Sequence, residues 1–226
     1  MRELKALLEE RIFNLLIIGQ ESVVQLQKDF PNEFAILRLH RLTYLREEDV
    51  RRLADHPIMK IRDNGERVSR FKGKALSRLF YLTAGQPWFT QMFCRALVDY
   101  LNENRLHDIV EDSIDAVERS LCEGDARIPD AEFESFVNLM ADVDEEEVVR
   151  LYYQIAEQTE EEYDWVPLSD FPAEKLPIIQ LLDARGILRV NKDQVQLRMG
   201  LFASWLRMNP GRTRISFGGK EISRED

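Results

Sequence analysis

The sequence predicts a mostly α fold: a small α/β remnant at the N-terminus, a helical bundle in the middle and a helix–hairpin module at the C-terminus. Three observations carry that expectation. From residue 47 onwards, apolar side chains recur at the spacing of amphipathic helices. Near the start, Phe13–Ile18 and Phe34–Leu39 are short apolar runs of the kind found in strands covered on both faces. Towards the end, three helical stretches precede two strand-like runs, Ile187–Val190 and Gln194–Leu197, joined by Asn191-Lys192-Asp193. The 226 residues, 44% hydrophobic and 32% charged, suffice for a real core and are too apolar for a disordered chain.

Each element has its own signal. Leu4, Leu7, Leu8 and Ile12 place residues 2–11 on an amphipathic helix, and Phe13–Ile18 follows as a strand ended by Gly19. Val23, Val24 and Leu26 predict a short helix stopped by Pro31, and Phe34–Leu39 a second strand. Two strands are too few for a doubly covered parallel sheet, so residues 1–42 read as the remnant of a larger α/β domain. Val50 and Leu53 mark a helix over Glu47–Asp55 that closes at His56-Pro57, because a residue before proline disfavours the α conformation. Asp63-Asn64-Gly65 is a turn signal. Val68, Phe71, Ala75, Leu76, Leu79 and Phe80 define one face of a helix over Val68–Leu82.

Thr83-Ala84-Gly85-Gln86-Pro87 breaks that helix. Gly85 suits a left-handed C-cap, and Pro87 suits the first turn of the next helix. The next helix runs to about Leu101 with Phe89, Met92, Phe93, Ala96, Leu97 and Tyr100 inward; these and Trp88 read as core, not as a ligand pocket. Ile109–Leu121 is a further helix on Ile114, Val117 and Leu121. This bundle spans 43–122, and Gly124 and Pro129 mark the boundary after it. Ala131–Met140 and Glu145–Gln158 read as helices. Ser169 or Asp170 is the expected cap of a third, which holds Leu176, Ile179 and Leu182, ends at Gly186, and is either started or kinked by Pro177. Gly200–Met208 closes the series, with Trp205 in its core. Helix, helix, helix, hairpin over 130–208 is the order of a winged helix, a helix-turn-helix variant. Residues 209–226, with glycines and mixed charge, predict a disordered tail.

The net charge of −10 is unevenly spread: Asp130–Asp164 holds thirteen acids and one base, Arg150, a net of −12 that leaves the remainder at +2. The triplets Glu145-Glu146-Glu147 and Glu160-Glu161-Glu162 read as solvated faces, since adjacent carboxylates on a helix diverge. The apolar run at Ile12–Gly19 is too short to span a bilayer and lacks a signal-peptide charge pattern, so no membrane role is expected. Cys94 and Cys122 fall in helical patterns, as expected of buried thiols in a reducing cytoplasm. His40, His56 and His107 are scattered, so no metal site is expected. No G-x-S-x-G, H-E-x-x-H or C-x-x-C is present.

Four stretches taken together resemble a known family. They are Leu15-Leu16-Ile17-Ile18-Gly19-Gln20, Leu39–Leu53, Leu82-Thr83-Ala84-Gly85-Gln86-Pro87 with Gln91, and Leu181–Leu206, which runs into Phe202-Ala203-Ser204-Trp205-Leu206-Arg207. In that order they resemble the sensor 1 strand, the connection into the helical lid, the lid's Gly-x-Pro motif and the winged helix of STAND-type NTPases, a branch of the AAA+ superfamily. The likeness covers roughly residues 1–208. It implies a mostly α fold with a small α/β remnant over 1–42, a helical lid bundle and a C-terminal winged helix. The chain departs from the family at the phosphate cradle. Its Gly-Lys pairs, Gly73-Lys74 and Gly219-Lys220, lack the upstream glycine and following hydroxyl of G-x-x-x-x-G-K-[ST], and no Walker B strand is present. Both motifs precede sensor 1 in the family, so the chain is expected to start after them and not to be an enzyme by itself.

The resemblance also assigns candidate residues. Gln20 falls where sensor 1 reads the γ-phosphate, Gly85 and Pro87 match the motif whose proline packs near adenine, and Arg198 lies where some relatives place a phosphate-sensing side chain. Each also has a purely structural explanation: a strand end, a helix cap, a helix start and a surface arginine. The leading expectation is a non-enzymatic regulatory lid and winged-helix portion of a STAND-type ATPase, truncated or split, acting by protein–protein docking in the cytoplasm. It carries no cofactor by itself, and ATP or ADP only with a P-loop partner. The expected partner is a P-loop ATPase domain or another protein chain, or a second copy docking on the strand edges of residues 1–40. The alternative is a winged-helix DNA-binding regulator. Arg185–Arg214 contains seven bases and one acid, and Arg185, Arg189 and Lys192 would then meet backbone phosphates. Against it, the recognition helix in Pro172–Ala184 offers mainly Glu174, Lys175, Gln180 and Asp183, a poor set for reading bases, so nucleic acid is not an expected partner. A third reading is a fragment without activity of its own.

Overall fold

The computed structural model describes residues 29–34, 38, 44–124, 126–137, 144–159, 164–209, 215–217 and 220–222. The chain divides into two compact units, residues 1–43 and 44–226. In the first, Pro31–Phe34 forms one helical turn, α1. Pro31 opens this turn, and Phe34, expected to begin a strand, closes it. The other expectations for this region, the helix over 2–11, the strand Phe13–Ile18, Gln20 and most of Phe34–Leu39, lie outside the described residues.

The second unit is mostly helical. Its elements are α2 (Glu47–Ala54), β1 (Lys60–Ile61), β2 (Arg67–Val68), α3 (Ala75–Thr83), α4 (Pro87–Glu103), α5 (Glu111–Cys122), α6 (Ala131–Val137) and α7 (Glu145–Gln158). There follow β3 (Val166–Pro167), α8 (Leu176–Ala184), β4 (Leu188–Asn191), β5 (Gln194–Leu197), α9 (Gly200–Met208), β6 (Ile215–Phe217) and β7 (Lys220–Ile222). No helix among the described residues is long and apolar enough to cross a membrane.

The helix α9 is the centre of the packing. Gly200 to Leu206 are all buried, because α3, α5 and α7 surround the helix. A helix that is apolar on every side belongs in such a position. Phe202 stacks on Phe133 and Trp205 packs on it at a tilt, and Phe133 in turn stacks on Phe89 of α4. One hydrophobic core therefore runs from Val50 to Leu206, through both the expected lid and the expected winged-helix segments.

A polar chain threads that core. Arg78 of α3 donates through Nη2 to Glu118 Oε2 (2.8 Å) and through Nε to Asp115 Oδ1 (3.2 Å) on α5. Ser204 Oγ donates to Glu118 Oε1 (2.5 Å), and Arg207 Nη2 donates to Ser204 Oγ (3.0 Å). Arg207 Nη1 then reaches the carbonyls of Ala156 (3.2 Å) and Thr159 at the end of α7. Asn209 Nδ2 bonds the carbonyls of Cys122 (3.1 Å) and Trp205 (2.8 Å). Burial works against the Arg78 charge, but Glu118 and Asp115 outweigh it and hold its pKa above the ordinary value. Groups this buried are tolerated only when paired in this way.

Two small antiparallel sheets complete the core-bearing part of the unit. The pair β1–β2 is a hairpin in which Lys60 faces Val68 and Ile61 faces Arg67. The other sheet has the order β3–β5–β4. There Leu188 faces Leu197 and Val190 faces Val195, while Arg189 faces Gln196 on the other side. A third ladder pairs β6 with β7, within the stretch expected to be a disordered tail.

Several expected boundaries move, each for a tertiary reason. The helix expected over Val68–Leu82 begins only at Ala75, because the chain before it pairs elsewhere. Val68 lies in β2, Phe71 bridges Ile109, Lys72 N–H donates to Ile109 O (2.8 Å) and Ile109 N–H to Arg70 O (2.9 Å). For the same reason α5 starts at Glu111 and not at Ile109. Neither Ser169 nor Asp170 caps α8: 3₁₀ turns at Leu168–Asp170 and Ala173–Lys175 intervene, and Pro177 lies in the first turn of the helix, starting it without a kink.

Candidate functional site

Gly85 and Arg198 are far apart in sequence; Gly85 lies against Leu45, and the Arg198 charge lies within electrostatic reach of the adjacent Tyr44. The helix α3 ends in two left-handed residues, Ala84 (φ +49°) and Gly85 (φ +74°). Thr83 Oγ1 donates to Leu79 O (3.0 Å) and accepts from Gly85 N–H (3.4 Å), which closes the helix end. The Gly85 carbonyl accepts from Leu45 N–H at 2.7 Å. A Cβ on Gly85 would lie 2.1 Å from Leu45 O, so only glycine lets the two backbones cross. Gln86 then caps α4, its Oε1 accepting from Phe89 N–H (2.7 Å), and Pro87 starts the helix at the surface.

Arg198 joins β5 to α9. Its N–H donates to Ile187 O (2.9 Å) and its Nε to Leu188 O (3.4 Å). The half-buried guanidinium lies within electrostatic reach of Tyr44. Burial pushes the Tyr44 phenol above its ordinary pKa, and the Arg198 charge opposes that rise. Tyr152 on α7 belongs to the same neighbourhood. Burial pushes its phenol strongly up, Arg185 pulls it down, and Tyr44 adds to the rise. The Tyr152 hydroxyl donates to Phe136 O (2.6 Å). Among the described residues no cluster of His, Cys, Asp or Glu is arranged to hold a metal ion.

Of the nucleotide-proximal candidates, then, Gly85 packs on Leu45, Pro87 follows Gly85 by two residues, Arg198 bonds the Ile187 and Leu188 carbonyls within electrostatic reach of Tyr44, and Gln20 lies outside the described residues. The three candidate phosphate contacts have different surroundings. Lys192 is exposed at the hairpin turn with φ +55°. Arg189 shares a sheet face with Gln196, a buried side chain bonded to Asp164 O (3.0 Å). Arg185 lies within reach of the buried Tyr152. Asp183, from the expected recognition helix, accepts from Val190 N–H (3.2 Å) and is used to hold the hairpin.

Sequence reasoning missed Tyr44 and Tyr152, and also Glu118 and Ser204. The signal for the last two was present: Glu118 follows Ile114 by one helical turn on an apolar face, and Ser204 interrupts an apolar helix. No known protein family, curated protein or solved structure matches the chain.

Proposed function

We propose that this chain is the regulatory lid and winged-helix portion of a STAND-type ATPase, acting by docking on a separate P-loop domain. The observation that carries the reading is the Gly85–Pro87 turn closing on Leu45, whose N–H donates to the Gly85 carbonyl, with the Arg198 charge within electrostatic reach of the adjacent Tyr44. In the family the resemblance points to, those two motifs approach opposite ends of one nucleotide. The order α7, β3, α8, β4, β5, with the sheet order β3–β5–β4, also fits a winged helix whose middle helix is reduced to 3₁₀ turns. A core shared by the lid and the winged helix supports the regulatory part, since a change at the Gly85 turn is passed through α3 to α9 as a packing change. The DNA-binding alternative draws less support, because Arg185 and Arg189 are only partly exposed and already engaged, which leaves Lys192 as the one exposed cation of the three.

Nucleotide binding on this reading needs a partner, and residues 1–40 are the docking part. The test is light scattering of the full chain beside Leu16→Asp and Ile18→Asp. The wild type is expected to self-associate or to capture a P-loop domain supplied with it, and the variants to stay monomeric with the same helical circular dichroism. A monomeric wild type whose amides over residues 13–39 are strongly protected in hydrogen exchange would overturn the reading, because those strands would then be self-sufficient.

A further inference from the structure

The hairpin β1–β2 is remote in sequence from the Gly85 and Arg198 motifs, and the proposed function makes no use of it. At its base lies a groove of about 270 Å³ with an apolar wall of Pro57, Ile58, Met59, Val98 and Leu101, and with Arg70 and Asn102 completing its lining. Ile61 is 72% exposed. It follows Met59 by two residues and stands opposite Arg67 in the ladder, spacings that put the three on one face. The groove therefore continues into an exposed aliphatic side chain flanked by arginine.

The charges around it are not equivalent. Residues 60–74 carry six bases and two acids in a chain of net charge −10. Lys60 and Lys72 are matched by Asp108 (2.7 and 3.9 Å), and Arg62 by Glu66 (2.9 Å). Among the described residues no acid pairs with Arg67 or Arg70, and Arg70 Nε is buried without a hydrogen-bond acceptor. A buried N–H in that condition is a cost that an incoming carboxylate would remove.

We propose that this face docks an acidic–apolar peptide segment of a partner protein. One aliphatic or aromatic side chain enters the groove against Met59 and Val98, and neighbouring carboxylates pair with Arg67 and Arg70. The shape favours a peptide anchor: the groove of about 270 Å³ can take one apolar side chain, and it continues into the exposed Ile61 and Arg67, which a bound segment of chain could cover. A nucleic-acid backbone calls for a longer row of unpaired cations and offers nothing to fill an apolar wall.

The test is a selection of random peptides displayed on phage against the full chain. Synthetic versions of the enriched peptides are then measured by fluorescence anisotropy on the wild type, Ile61→Asp, Arg67→Gln and Arg70→Gln. Enriched peptides are expected to combine a large apolar residue with at least two acids. Their affinity should fall roughly tenfold or more in each variant, and weaken with added salt. Ile61 and Arg67 are exposed, so their variants keep the test informative if Arg70→Gln lowers stability. Failure to enrich such peptides, or binding indifferent to all three variants, would overturn the proposal. A labelled oligonucleotide bound with the same variant dependence, in the absence of peptide binding, would reassign the face to nucleic acid. Concentration-dependent self-association abolished by the same variants would reassign it to a second copy.

Discussion

Replacing Gly85 by alanine is expected to destabilise the 44–226 unit by about 3 kcal/mol, from two separable terms. The first is conformational: Gly85 has φ +74°, and holding an L-residue there costs about 1–2 kcal/mol. The second is steric. The new Cβ would lie 2.1 Å from Leu45 O and 3.0 Å from Leu45 C, backbone atoms that cannot swing aside as a side-chain tip can. Relief requires the Leu45 backbone to move, which strains the 2.7 Å bond from Leu45 N–H to Gly85 O; forced shifts of this kind cost about 1–3 kcal/mol. Gly65 supplies the control. Its φ is +80°, but nothing lies within 4 Å of its would-be Cβ, so Gly65→Ala incurs the first term alone. For a unit of this size each kcal/mol lowers Tm by about 2–4 °C, so Gly85→Ala should lose roughly 6–12 °C and Gly65→Ala about a third to two-thirds of that. Thermal melts followed by circular dichroism decide. Equal shifts for the two variants would refute the reasoning, because the crossing of Leu45 would then not be what demands glycine at 85.

The polar chain through the core gives a second expectation. Glu118→Ala should cost about 3 kcal/mol in urea melts, the low end for breaking a buried pair because Arg78 keeps some water contact, and a double replacement Arg78→Met with Glu118→Leu should recover most of it; a single-variant loss below about 1 kcal/mol would contradict this. Both thiols should be inert in the native state. Burial pushes Cys94 up to about 11, and burial with the Glu118 and Glu123 charges pushes Cys122 up to about 12, so a disulfide reagent at neutral pH should label the folded chain far more slowly than the unfolded one. Unfolded thiols ionise near about 8.5, so the stabilisation is complete below that pH and is lost as pH rises towards about 11 for Cys94 and about 12 for Cys122, and alkaline melts should show the decline. Calorimetric titration of the isolated chain with Mg-ATP should show no binding tighter than about millimolar, about −4 kcal/mol, and micromolar binding would remove the need for a P-loop partner. Anisotropy with duplex DNA should show only weak, salt-sensitive binding, and sequence-selective binding at physiological salt would restore the DNA-binding alternative.

Much of the helical framework was legible in the residues alone. The helices α4, α7 and α9 carry their apolar periods within themselves, and α9 in particular runs over the Gly200–Met208 that its sequence marks out. The Gly85 cap and the Pro87 start were legible because each is a constraint on one residue, a left-handed φ and a missing N–H. The hairpin β4–β5 was legible because two short apolar runs flank a polar link. What local pattern does not contain is the partner of each face. Val68 and Phe71 fit a helical period, yet β1 and Ile109 compete for that stretch and delay α3 to Ala75. The demand that Gly85 have no side chain comes from Leu45, which crosses it from a distant part of the chain. Arg198 finds its acceptors only on Ile187 and Leu188, Glu118 its partner only opposite Ser204, and Arg70 its place only on the lining of a groove. Periodicity records which face of an element is apolar, a property of neighbours in sequence. Pairing, burial of charge and the shape of a cavity belong to groups brought together across the chain, so they were settled only when the tertiary structure closed around them.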